Sequence, residues 1–317
     1  MRKLLIALAA ATTLVAPAQA ADKVTVAVTA IVEHPALDAC RDGVKDALNK
    51  AGFTDENMTF VYESAQGNPA TAAQIARKFI GESPSVIVPI STPSAQAVVA
   101  GTKDIPVVFT AVTDPVGAKL ISNAEKPGAN VTGLSDFSPL DDHIALMKEI
   151  TPDVKKVGVI FNPGEANSVS LIDGLKARMP GAGLELVESA ATKSSEVQAA
   201  ARALVGKVDA IYIPTDNTIV SALEAAIQVA EQNKIPLYAG DTDSVPRGAV
   251  AAIGFNYFDI GVQTGAIVAR VLKGEKPGDI AVTVAAGTNL VVNPAAAEKV
   301  GITIPQAVID RATTVVK

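Results

Sequence analysis

A chain of 317 residues, 49% apolar and without Trp, exceeds what one hydrophobic core usually supports, so two domains of about 150 residues each are expected. Its 27 basic residues fall short of 33 acidic ones and form no basic block, which argues against a nucleic-acid surface. A single cysteine, Cys40, rules out an intrachain disulfide, and with only two histidines, His34 and His143, a metal cage of His and Cys ligands cannot be assembled.

The first segment stands apart. Arg2 and Lys3 precede the apolar run LLIALAAATTLVA, and Ala18, Gln19 and Ala20 supply a small-x-small site. This reads as a secretory signal cleaved after Ala20, too short for a membrane anchor. No later run reaches spanning length, so a soluble periplasmic chain with no membrane insertion after signal removal is expected. Cys40 lies far from the cleavage site, which argues against lipid attachment there.

Apolar runs bounded by turn residues then predict strands over 24–28, 58–63, 86–90 and 105–111. Amphipathic stretches of helical length separate them. After about residue 150 the pattern restarts, with strands expected over 155–161, 184–189, 209–214, 235–239 and 249–255, and with VSALEAAIQVAEQNK expected as one helix. Strict alternation of strand and helix predicts an α/β fold with parallel sheets covered on both faces. The halves also align: YESAQGNPATAAQIARKFIGESPSVIVPIST lies over VESAATKSSEVQAAARALVGKVDAIYIPTD, and KDIPVVFTAVTD over NKIPLYAGDTD. Two similar βα domains in tandem follow.

In this alignment Ser91 falls on Thr215 and Thr92 on Asp216, all at strand ends, where open parallel sheets bind ligands. Pro93 suits the first position of a helix capped by Thr92, whose N-terminus would favour an anion. Opposite, Asp216, Asp241 and Asp243 offer carboxylates. A guest with an anionic and an ammonium end, an α-amino acid, would satisfy both walls. The same residues could instead cap helices and shape turns. Loops at Glu33, His34 and Pro35 and at Asn162, Glu165, Asn167 and Ser168 add polar groups, with Asn167 or Ser168 expected to start a helix. No G-x-S-x-G, P-loop or G-x-G-x-x-G pattern supports an enzyme, and no cofactor or metal is expected.

The segments IVEHPALDACRDG, SAQGNPATAAQIARKFI, PVVFTAVTDPVGA, KPGANVTGLSD, FNPGEANSVS, VDAIYIPTDNTIVSALE, GDTDSVPRGA and LVVNPAAAEKVGITIP resemble the ABC-transporter substrate-binding proteins of the tryptophan and aromatic amino acid branch. The resemblance implies a type I periplasmic binding protein fold: two Rossmann-like lobes, 21–136 plus 257–282 and 137–256 plus 283–317, joined by three hinge crossings near 135–138, 256 and 281–288. It implies a monomer that closes on an amino acid and delivers it to an ABC permease. Ser91 and Thr92, then Ala111 and Thr113, match the family's carboxylate-holding positions, and Asp241, or secondarily Asp216 with Asn217, the ammonium-binding one. Phe137, Phe255, Tyr257 and Phe258 near the crossings are candidates to stack on an aromatic side chain. A branched aliphatic ligand, and a sensing role through a membrane receptor, remain the alternatives.

Overall fold

The computed structural model describes residues 23–317, so the expected signal segment lies outside them. The chain begins with strands β1 (Val24–Ala30), β2 (Met58–Ser64), β3 (Val86–Ile90), β4 (Val107–Val112) and β5 (Val131–Ser135), between which run helices α1 (Pro35–Lys50), α2 (Pro69–Glu82) and α3 (Thr92–Gly101). It continues through α4 (Leu140–Ile150), β6 (Lys156–Phe161), α5 (Ala166–Arg178), β7 (Glu185–Ala190), α6 (Val197–Leu204) and β8 (Ala210–Ile213). Next come α7 (Asn217–Val220), α8 (Leu223–Gln232), β9 (Leu237–Ala239), β10 (Ala251–Gly254) and α9 (Tyr257–Leu272). The last elements are β11 (Thr283–Val284), β12 (Asn289–Val292), α10 (Pro294–Val300), α11 (Gln306–Asp310) and β13 (Thr314–Val315).

Two sheets result. The first has the order β11-β5-β4-β3-β1-β2 and the second β13-β12-β10-β9-β8-β6-β7, the last five of these running parallel as the first sheet does. Among the described residues only β10 and β12 pair antiparallel. The fold is α/β with two lobes and three crossings between the sheets, after β5, after β10 and between β11 and β12. β11 extends the first sheet to Val284, two residues past the end expected for that lobe.

The central strands of each sheet are buried on both faces, which is why they read as continuous apolar runs. One cluster around Val26, Ile87 and Phe109 fills the first lobe. Two others, around Leu171 and Tyr212 and around Ile211 and Leu223, cover opposite faces of the second sheet. Helix starts follow the capping rules: Asn68 accepts from the amides of Ala70 and Thr71 ahead of Pro69, and Asn256 accepts from the amide of Asp259 at the start of α9.

The packing of α1 against α9 is set by glycine. A Cβ on Gly43 would lie 2.1 Å from the Phe258 carbonyl oxygen, and one on Gly261 would lie 2.0 Å from that of Cys40. Such backbone-to-backbone approach admits no side chain. It fixes α9, which returns from the second lobe, onto the first.

The helix expected over 220–234 is α8, Leu223–Gln232, preceded by the separate short helix α7 that ends at Val220. The Ser221 hydroxyl donates to the Thr218 carbonyl at 2.8 Å, giving the backbone there a local alternative to continued helix. Thr92 likewise is not a cap: Ser91 occupies that position, its carbonyl accepting the first helical bond from Ala95 at 3.0 Å. The start of α5 also shifts, to Ala166 with Glu165 before it.

Candidate functional site

The carboxyl ends of both sheets face a common cleft. Within it lies a small cavity lined by residues of both lobes. The first lobe contributes His34, Ala36, Leu37, Ala111, Thr113 and Asp136, and Tyr257 stands at the second crossing. The second contributes Asn167, Thr215, Asp216, Asn217, Val220 and Asp241.

The first-lobe wall is built on strained backbone. Ser91, after β3, has φ 77° and ψ 157°, a region nearly restricted to glycine, and Ala111, in β4, has φ 51°. At Ala111 the ladder between β4 and β5 changes register, the expected effect of a residue that bulges out of the pairing. Such conformations cost about 1–3 kcal/mol each and cluster where ligands are held. The hydroxyls of Thr29, Ser91, Thr92 and Ser94 and Nδ1 of His34 are buried without any hydrogen-bond partner. Five unsatisfied polar atoms at or beneath this wall, joined by Asn167 Oδ1 and Thr215 Oγ1 on the opposite one, require an explanation, since buried polar groups are nearly always paired. His34 itself is neutral, its pKa lowered to about 3 by burial and then by the Arg247 charge.

The second-lobe wall is knit together. Asp216 is fully buried; its Oδ1 accepts from the amide of Ile219 at 2.9 Å, and its Oδ2 from the amide of Asn162 and the Ser168 hydroxyl, both at 2.6 Å. Glu165 accepts from the amides of Asn217 and Thr218 at 3.1 and 3.0 Å and from the Thr218 hydroxyl at 2.7 Å. Asp241 accepts from the amide and hydroxyl of Ser244 at 2.8 and 2.7 Å. Capping and cavity lining are thus combined in the same carboxylates. Burial, then the Glu165 charge, raises the Asp216 pKa to about 8, and burial raises that of Asp241. Asp243 is raised to about 6, by burial first and then by Asp241.

Of the residues singled out from sequence as ligand-binding, His34, Ala111, Thr113, Asn167, Asp216, Asn217, Asp241 and Tyr257 line the cavity. Asn162, Glu165 and Asn217 face a wider groove at the cleft mouth, and Ser168 lies behind Asp216. Ser91 and Thr92 are buried beneath the wall rather than among its lining residues. Of the crossing aromatics only Tyr257 reaches the cavity; Phe255 packs in the first core, Phe137 packs against the second, and Phe258 is 38% exposed. Sequence reasoning missed Asp136, because the short, polar VTGLS did not read as the strand it follows. It also missed Ala36, Leu37 and Val220, apolar residues indistinguishable from core. Among the described residues no group of three or more His, Cys, Asp or Glu is arranged to hold a metal, and no helix is long and apolar enough to cross a membrane.

The sequence matches the family model for ABC transporter substrate binding proteins over residues 25–316. A tyrosine-binding protein of Clostridioides difficile is 42% identical over 269 residues, 84% of this chain and 78% of that one. The crystal structure of an ABC domain from Streptococcus pneumonia in complex with L-Trp is 34% identical, with a TM-score of 0.90 over 93% of this chain and all of that one. The ligand-free, open structure of a substrate binding protein with adhesive properties from Clostridium difficile is 40% identical, with a TM-score of 0.70 over 92% of this chain and 99% of that one.

Proposed function

The chain belongs to the ABC transporter substrate-binding protein family, and from that premise we propose that it captures an aromatic α-amino acid, tyrosine or tryptophan, between its lobes and delivers it to an ABC permease. The observation that carries this reading is a polar lining shared by both lobes: the Asp216 and Asp241 carboxylates from the second, and Thr113, His34 and the Asp136 carboxylate from the first. The ligand's ammonium is met by Asp241, with Asp216 and Asn217 beside it. Its carboxylate is drawn to the first-lobe side, where Ser91 and Thr92 lead into α3 and where Ala111, in β4, and Thr113, just past it, line the cavity. His34, Leu37 and Tyr257 receive the ring.

Taking a zwitterion out of water costs several kcal/mol per unpaired charge, so closure is favoured only when both walls engage. Each lobe alone offers only part of these partners. Binding therefore shifts the protein toward its closed form through the ligand's preference for it. The better superposition on the L-Trp complex than on the open, ligand-free relative supports a closed conformation here, and the two relatives' ligands support an aromatic guest. We place the protein in the periplasm as a monomer, after removal of residues 1–20, with lobes divided at about residues 136, 256 and 284.

Titration calorimetry with L-tyrosine, L-tryptophan, L-phenylalanine and L-leucine, alongside mass spectrometry of small molecules released on denaturation, tests the reading. Micromolar or tighter binding of an aromatic amino acid supports it. Release of a sugar, or binding of L-leucine in preference to all three aromatics, defeats it.

A further inference from the structure

Asp136 carries a role that the ligand assignment above leaves open. It follows β5 at the first crossing, is 3% exposed, and lines the cavity. Its Oδ2 accepts from the Tyr257 hydroxyl at 2.7 Å, and its Oδ1 accepts from the Thr113 hydroxyl at 3.3 Å. Ser135 beside it donates to the Thr113 carbonyl at 2.8 Å. One carboxylate thus joins the first crossing, the residue that opens α9 after the second crossing, and the segment leaving β4. The capping partners of Asp241 both come from its own loop, whereas those of Asp136 come from two distant stretches of chain.

The electrostatics of this arrangement are incomplete. Burial raises the Asp136 pKa against the opposing pull of its two hydroxyl donors. Neither donor carries positive charge, and among the described residues no Lys or Arg lines the cavity. Tyr257 feels the charges of both Asp136 and Asp241, which with burial push its pKa well up, so it remains a neutral donor. A buried carboxylate with only neutral partners is costly to ionise, and the cation that would relieve it has to arrive with the occupant.

We propose that Asp136 accepts the ligand's ammonium together with Asp241, so that one cation is shared across the cleft and the protein selects α-amino acids with a free amine over des-amino analogues. An ammonium has three N–H donors, enough for a carboxylate on either side. Because Asp136 is tied to two crossings, occupancy by the amine draws on the same groups that hold those crossings together. This inference rests on the amino-acid reading above.

The test compares the tighter-binding of L-tyrosine and L-tryptophan with its des-amino analogue, 3-(4-hydroxyphenyl)propionate or indole-3-propionate, by calorimetry on wild type and Asp136→Asn. The variant keeps the side-chain size and an acceptor for Tyr257 while removing the charge. Affinity for the amino acid is expected to fall about 30-fold or more, as for loss of one partner of a buried charge pair, and that for the analogue by less than about threefold. A preference for the amine unchanged within about threefold overturns the inference while leaving the amino-acid function standing. Wild type that binds no amino acid defeats both. Should Asp136→Asn fail to fold, Tyr257→Phe supplies the second reading: loss of its hydrogen bond raises the pH midpoint of amino-acid affinity and leaves the analogue's pH profile alone. An unshifted midpoint counts against the proposal.

Discussion

The two walls of the cavity descend from the same βα pattern and have been finished differently. After β3 the chain turns through a strained Ser91 and leaves the hydroxyls of Ser91, Thr92 and Ser94 without partners; after β8, the equivalent strand, the Thr215 hydroxyl is unpartnered too, but Asp216 caps α7 and is held by three donors. The contrast separates two ways of preparing for a guest. The second lobe has arranged its charges in advance at the expense of burying them, whereas the first has left hydrogen-bonding capacity unused. The ligand proposed above would bring a cation to the buried carboxylates and acceptors to the unused donors.

The sharpest way to break this comparison is to disturb the frame of the first lobe alone. Gly261→Ala forces a Cβ against the Cys40 carbonyl, and unfolding in urea is expected to show a loss of about 3 kcal/mol, the upper part of the usual overpacking range. A loss below about 1 kcal/mol would mean that the two helices separate readily. The second lobe is probed by Asp241→Asn, which is expected to weaken amino-acid binding by about tenfold or more, about 1.4 kcal/mol, with the protein still folded. Unchanged affinity would reduce Asp241 to its cap on Ser244.

Titration sharpens the contrast further. Asp216 and Asp243 have folded pKa values of about 8 and about 6, above their ordinary 3.8, so their contribution to stability is full below about pH 4 and is lost as pH rises through those values. An ammonium offsets that loss only while the carboxylates are ionised. The rise in melting temperature caused by ligand is therefore expected to be larger at pH 8 than at pH 5, by about 2 °C for each 1 kcal/mol of difference. A larger rise at pH 5 would show that the amine does not meet these groups. The smallest effect is expected at Ser91→Gly: relief of the positive φ, offset by a more flexible unfolded chain, leaves a gain of about 0.5 kcal/mol, accompanied by weaker binding. A loss of stability would mean that Ser91 is not strained.

Much of this organisation was legible in the sequence. The strands at 86–90 and 156–161 were visible because parallel sheets buried on both faces leave uninterrupted apolar runs. Strand-end residues such as Thr113, Asp216 and Asp241 were legible as site candidates because the crevice rule depends only on topology. The rest was hidden for physical reasons. Whether Asp241 lines a cavity or caps a turn is undecidable from spacing, and here it does both. Asp136 follows a strand whose Thr, Gly and Ser obscure its apolar signal. Ser91 and Thr92 carry the expected chemistry, yet their depth beneath the wall depends on a backbone twist that no residue pattern announces.

The glycine contact between α1 and α9 has a consequence for motion. His34 precedes the first of these helices and Tyr257 opens the second, so both sit on a single inflexible unit whose parts cannot slide past one another. However far the lobes swing, the gap between imidazole and phenol stays constant, like the fixed jaw of a caliper. The entropy of setting that gauge is spent once, during folding, and no part of it is charged again to each molecule captured.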